Sequence, residues 1–100
     1  MSEIELDPVI HSQARLRVVA ALAQLAPGDR IAFTRLQQVL TMTPGNLSTH
    51  LRKLEDAGYV EAEKSFQVRT PVTHLSLTPR GRLAFEEYSA ALTKILGGSS

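Results

Sequence analysis

Cysteine is absent from this chain of 100 residues. That excludes disulfides, thiolate nucleophiles and zinc or iron–sulfur sites built on cysteine. Histidine is scarce. His11, His50 and His74 are the whole complement, and they do not fall at the spacing of a ligand pair. No carboxylate cluster stands in the sequence to complete a site. No metal and no other cofactor is therefore expected. No stretch approaches the ~20 uninterrupted apolar residues of a membrane span. The opening Glu3, Glu5 and Asp7 carry the wrong sign for a secretory leader, so the chain reads as soluble and cytoplasmic. Phosphate-cradling glycine runs are missing. Gly45-Asn46-Leu47-Ser48-Thr49 lacks the G-x-S-x-G frame of a nucleophile elbow. Nothing in the sequence points to an enzyme.

What is present suffices to fold: 43% of residues are apolar, in a chain of one domain's length. A domain this size closes one modest core and has no room for a deep enclosed active site as well. The net charge of +1 hides an uneven distribution. Between Pro8 and Phe85 stand ten Lys or Arg against five Asp or Glu, while Glu3, Glu5, Asp7, Glu86 and Glu87 gather at the two ends. A basic middle between acidic ends is an electrostatic pointer to a polyanionic partner.

Ile10, Ala14, Val18, Leu22 and Leu25 recur at helical spacing, with Val19 beside them. They predict a first helix over 9–25 behind an N-terminal segment, 1–8. Ala26-Pro27-Gly28-Asp29 is a strong turn signal. Ile31-Ala32-Phe33 reads as a minimal strand. Thr34 then caps a second helix over 34–41, with Leu36, Val39 and Leu40 inward. Thr43 before Pro44 marks a third helix over 43–57, because threonine satisfies orphan amides and proline suits the first turn. Gly58 can take the left-handed conformation that ends it. A hairpin is expected over 59–78: a strand from Tyr59 to Lys64, a polar turn-like stretch from Ser65 to Pro71, and alternation from Val72 to Thr78. Thr78-Pro79 repeats the cap-plus-proline start and predicts a last helix over 79–96, with Gly97-Gly98-Ser99-Ser100 as a frayed tail. The expected fold is mainly α with a small β-hairpin wing (α+β), in one domain over 1–100. About four residues join the second and third helices, as a helix-turn-helix needs.

The third helix is the informative element. With Leu47, Leu51 and Leu54 facing in, ~100° per residue places Asn46, Ser48, Thr49, Arg52, Lys53 and Asp56 outside and His50 on the flank. A DNA major groove of about 12 Å admits such a helix, its N-terminal residues reaching base edges first. Asn46 can bond adenine at two atoms, and Ser48 or Thr49 can meet several edges. Arg52 suits guanine or phosphate, and Lys53 phosphate. The helix start at Thr43, Pro44 and Gly45 offers amides to a phosphate, and Gly45 lets the backbone approach closely. His50 is expected to bond a backbone group or a phosphate. Lys64, Gln67 and Arg69 surround the hairpin tip, where a wing beside the helix would meet the minor groove or its phosphates. Phe66 is the odd residue there; pinning the tip to the domain and exposure are both open to it.

The run from Thr43 to Val60, TPGNLSTHLRKLEDAGYV, resembles the recognition helix of prokaryotic winged-helix regulators. It is similar to a short MarR-like or ArsR-like family with a Gly-Asn-Leu-Ser-x-His-Leu-x-x-Leu core followed by Glu-x-x-Gly-Tyr-Val. Leu75-Ser76-Leu77-Thr78-Pro79-Arg80-Gly81-Arg82 resembles the Leu-Thr-x-x-Gly-Arg that closes the wing and opens the last helix. Ile10-His11-Ser12 with Arg15-Leu16 resembles the first helix. The resemblance covers nearly the whole chain. It implies a homodimeric transcription regulator with its recognition helices in successive major grooves of double-stranded DNA. The missing cysteines disfavour the metal-sensing ArsR subtype.

The last helix supports a dimer separately. Phe85, Tyr88, Leu92 and Ile95 are spaced three, four, three, a heptad seam, and Leu83, Ala84, Ala91 and Leu96 widen it. With Leu6, Val9 and Ile10 from the N-terminal region, this stripe is expected to meet a second copy. The alternative is that the helix folds back onto its own first helix. A small-molecule effector is expected, if any, where the last helix, the first helix and the wing meet. The competing functional reading is a winged helix that binds protein and not DNA.

Overall fold

The computed structural model describes residues 4–97. Of the tail expected from Gly97, Gly98-Ser99-Ser100 lie outside the described residues, as does the acidic Glu3. Along the chain run α1 (Gln13–Ala23), β1 (Ile31–Ala32), α2 (Phe33–Leu40), α3 (Pro44–Asp56), β2 (Val60–Gln67), β3 (Thr70–Leu77) and α4 (Pro79–Ile95).

Hydroxyl caps set three of the four helix starts. Ser12, Thr43 and Thr78 accept from the amides of Arg15, Asn46 and Gly81 at 3.4, 3.2 and 2.9 Å, each satisfying a donor the first turn leaves orphaned. The first of these corrects the sequence reading. The helix opens at Gln13 and not at Val9, because two caps compete. The Asp7 carboxylate accepts from the amides of Val9 at 2.8 Å and Ile10 at 3.3 Å, closing a separate turn. Ser12, extended at φ −150°, then breaks the register before α1 begins. α2 starts at Phe33, one residue before the expected Thr34 cap, and has no side-chain cap. It ends on Thr41, left-handed at φ 54°, and Thr41-Met42-Thr43 form the turn into α3.

α3 ends as its glycine requires. The amides of Gly58 and Tyr59 donate to the carbonyls of Glu55 and Leu54, both at 2.9 Å, a paired closure that needs a positive φ at Gly58 (+80°).

β1, β3 and β2 form an antiparallel sheet in that order. β1 adds only Ile31↔Leu75 and Ala32↔His74. The hairpin pairs without interruption from Val60↔Leu77 to Gln67↔Thr70. Its strands are thus longer than expected, and the turn shrinks from the predicted Ser65–Pro71 stretch to Val68 and Arg69, at φ 47° and 68°. Positive φ at both central residues is the geometry that matches strand twist.

The core gathers Val18, Val19 and Leu22 of α1, Leu36 and Leu40 of α2, Leu47, Leu51 and Leu54 of α3, and Val60 and Leu75 of the hairpin. Burying each such side chain contributes about 1.5–3 kcal/mol. Val39, expected inward, is exposed instead; α2 is two turns long and its Leu36 and Leu40 already fill its buried face. A smaller cluster joins Ile10 to Ala84 and Tyr88, with Leu6, Leu16 and Leu92 against it. α4 therefore packs back on the N-terminal region of its own chain.

Candidate nucleic-acid interface

The buried leucines of α3 turn Asn46, Ser48, Thr49, Arg52, Lys53 and Asp56 to the exterior, and Thr43, Pro44 and Gly45 are exposed at its start. A Cβ built on Gly45 meets nothing within 4 Å, so this helix end is open to close approach. The Thr49 hydroxyl donates back to the Gly45 carbonyl at 3.0 Å, so its oxygen can still accept. His50 sits differently from its neighbours. It is half-buried, and its Nδ1 lies 3.4 Å from the Arg15 guanidinium. Burial, then the positive charges of Arg15 and Lys53, hold its pKa below the ordinary 6.5. Within the chain its partner is the Arg15 side chain of α1 rather than a backbone group.

The hairpin stands beside α3. Strand pleating puts Val60, Ala62, Lys64 and Phe66 on one face of β2, opposite Leu77, Leu75, Thr73 and Pro71 of β3. This face and the outer flank of α3 form one groove of about 560 Å³, with Ser48, Arg52 and Asp56 on one wall and Ala62, Lys64 and Thr73 on the other. Arg52 and Lys64 thus bring a cation to each wall. Gln67 and Arg69 are exposed near the tip. Thr73 on β3 and Phe33 at the start of α2, which also lines the groove, were missed in the sequence because their place depends on tertiary packing, not on any local signal.

The basic middle of the chain divides by use. Arg17 donates to the Leu40 carbonyl at the end of α2. Arg82 reaches the carbonyls of Ala23 and Leu25 at the end of α1, at 3.5 and 3.4 Å. Arg15 donates to the Val9 carbonyl at 2.6 Å, and Arg30 pairs with Glu63. Those guanidiniums satisfy orphan carbonyls or one carboxylate. Among the described residues that ion pair is the only one, so Arg52, Lys53, Lys64 and Arg69 keep their charge for the exterior.

The residues expected at a dimer seam separate as well. Ile10 and Tyr88 are 0% and 5% exposed within their own chain, and the Tyr88 hydroxyl shares a hydrogen bond with His11 Nδ1 at 3.0 Å. Both are covered by their own chain, unlike the half-buried Phe85 and Leu92 and the exposed Ile95 of the same seam. Val9 and Phe85 pack partly against the main core, and Leu6 and Leu92 against the smaller cluster. Ile95 and Leu96 stay exposed, with Leu83 and Ile4. Tyr59 ties the N-terminal region in. Its hydroxyl donates to the Asp7 carboxylate; that bond, burial and the Asp7 charge raise its pKa above 10.0.

Among the described residues, no three His, Asp or Glu are placed to hold a metal ion, and no helix is long and apolar enough to cross a membrane. Three helices with a polar-to-basic third face, followed by a hairpin flanking that face, define a winged helix of the transcriptional-regulator type. The chain belongs to the winged helix DNA-binding domain family, which it matches over residues 14–96. An uncharacterised protein of Methanocaldococcus jannaschii is 36% identical over 80 residues, covering 80% of this chain and 84% of that one. The structure of a transcriptional regulator homologue of Pyrococcus horikoshii OT3 superposes with a TM-score of 0.83 at 29% identity, over 95% of this chain and 91% of that one. FabT of Streptococcus pneumoniae, solved in complex with DNA, gives a TM-score of 0.57 at 27% identity, over 92% and 68% of the two chains. MarR family members are also among the proteins that share the fold.

Proposed function

We propose that this chain is a sequence-specific transcription regulator that binds duplex DNA as a homodimer. α3 lies in the major groove, with Asn46, Ser48, Thr49 and Arg52 toward base edges and Lys53 and the amides at Thr43, Pro44 and Gly45 toward phosphate. Lys64, Gln67 and Arg69 carry the wing to the adjacent minor groove and its backbone. The observation that carries the reading is the groove itself: the exposed face of α3 and the Lys64 face of the wing are continuous, with Arg52 and Lys64 on its two walls. His50 acts from behind, setting α3 against α1 through Arg15.

The second copy docks on α4. Ile95 and Leu96 at the end of α4 are 49% and 75% exposed, and Leu83 in its second turn is 56% exposed, apolar surface that a second copy would cover. A two-fold pair sets the recognition helices about 34–36 Å apart, one turn of DNA. An effector, where one acts, enters between the N-terminal segment and α4, in the depression lined by Leu6, Pro8, Ala84 and Tyr88.

Fluorescence anisotropy with random-sequence duplex at two salt concentrations, alongside light scattering, tests both parts. Dimer mass and an affinity that falls steeply with salt are expected, since each phosphate contact releases counterions. Dimer mass with no binding at low salt refutes the DNA reading and turns attention to a protein partner.

A further inference from the structure

We propose that Phe66 is an apolar wedge that the wing presses into the minor groove flanking the recognition helix. The inference rests on the reading of α3 as a major-groove helix and adds a named contact and a DNA feature to it.

Phe66 is one of only five aromatic residues in the chain, yet it is 76% exposed. It faces Pro71 across the hairpin, and Val68 at the turn is 96% exposed. The far end of the wing therefore carries three apolar side chains that no core residue covers. Its sidedness gives them a direction. Phe66 shares its strand face with Lys64 and Ala62, the face that closes the groove against Ser48 and Arg52 of α3. The opposite face carries Glu61 and Glu63. One side of the wing is thus apolar and basic; the other carries two carboxylates, one of which, Glu63, is paired with Arg30. Only the first is complementary to a polyanion, and it is continuous with the α3 face. A second copy of the chain is less well matched there, because its exposed apolar surface lies on α4 and needs no cation beside it.

The tip is also built to present rather than to yield. The ladder stays paired to Gln67↔Thr70, and the two-residue turn holds Val68 at φ 47°, where a β-branched residue is disfavoured. Phe66 consequently stands on a paired strand, not on a loop. Proteins that enter the minor groove commonly insert phenylalanine or another apolar wedge at a base step while nearby cations hold the phosphates. Lys64, about 7 Å back along the strand, and Arg69 at the turn are those cations. Flexible pyrimidine–purine steps yield to such a wedge at least cost, so Phe66 selects the flanking sequence without hydrogen-bonding a base.

The test uses duplexes that the wild-type chain selects from a random-sequence library. Because Phe66 is exposed, Phe66→Ala leaves the fold alone. It is expected to bind about tenfold more weakly, the scale of one lost aromatic–base contact, with unchanged salt dependence because no phosphate contact is lost. Lys64→Ala, by contrast, flattens the salt dependence. The chain has no tryptophan, so Phe66→Trp adds a single reporter, whose fluorescence is expected to be quenched by the selected duplex and most strongly by a TA or CA step under the wing. Wild-type affinity in Phe66→Ala together with an unquenched Phe66→Trp overturns the wedge, while salt-dependent binding by the wild type leaves the α3 reading standing. A wild type that binds no duplex overturns both. Loss of dimer mass in Phe66→Ala assigns the aromatic to a protein contact and overturns the wedge as well.

Discussion

α3 and α4 open alike and end up opposite. Each starts with a threonine cap and a proline, and each has a glycine in its first turn: Gly45 in one, Gly81 in the other. Around Gly45 there is open space. A Cβ on Gly81 would lie 2.1 Å from the Tyr59 carbonyl oxygen. The same local signal thus builds a free helix end facing outward and a jammed one locked to the root of the wing. Their outer faces diverge too. That of α3 is small, polar and basic, and that of α4 keeps Leu83, Ile95 and Leu96 in the open. A helix start read from sequence fixes where a helix begins; what lies beyond that end is decided by tertiary packing.

The sharpest way to break this contrast is Gly81→Ala. The methyl meets rigid backbone, and overpacking of this kind costs about 3 kcal/mol. Denaturant unfolding should show that loss; a variant as stable as the wild type would mean that α4 is not seated on Tyr59. Next in size is Arg52→Ala, expected to weaken binding to the selected operator by about 1–3 kcal/mol and to relax preference at one base pair if it reads a base. A uniform loss over all sequences marks a phosphate contact instead. Neither its mass nor its melting temperature should change. Leu96→Asp probes the other helix. It should raise the dimer dissociation constant about tenfold or more, ~1.4 kcal/mol, measured by sedimentation, and a persistent dimer would place the interface elsewhere. Smaller still is Gly45→Ala, the mirror of the first variant: stability should rise by about 0.4–1 kcal/mol while DNA affinity falls, because the added methyl would stand in the proposed phosphate contact.

The smallest effect is a pH dependence at the seat of α3 on α1. Folded His50 resists a proton that the unfolded chain accepts below about 6.5. Its contribution is therefore full above that value and is lost as pH falls toward the lowered folded value. His50→Gln should flatten melting temperature against pH in that window, and parallel curves for the two proteins would count against the Arg15–His50 contact.

Much of α3 was legible because its signals are local: cap, proline, leucine stripe and terminal glycine sit within sixteen residues, Thr43 to Gly58. α1 misled because Ile10 and Ala14 continue the stripe across the Ser12 break. The corrective signal was present in Ser12, a hydroxyl able to cap the helix that opens at Gln13, whereas Asp7-Pro8 repeats the acceptor-plus-proline opening of Thr43 and Thr78 and closes only a single turn. The hairpin turn gave no such hint, for Val68-Arg69 is neither glycine nor asparagine. Burial of Ile10 against Tyr88 was beyond local reading. It joins residues 78 positions apart, and a stripe of the right period does not say whose surface it meets.

Tyr59 is a single residue at which three parts of the chain meet. Its amide closes α3, its carbonyl takes the Thr78 amide at 3.0 Å and fills the space a Gly81 side chain would need, and its hydroxyl holds Asp7. Mechanically that is a pivot without play. If a partner or a ligand tilts α4, close-packed atoms leave no slack at this point to absorb the motion, so the tilt passes as a lever stroke into the end of α3 and the base of the wing.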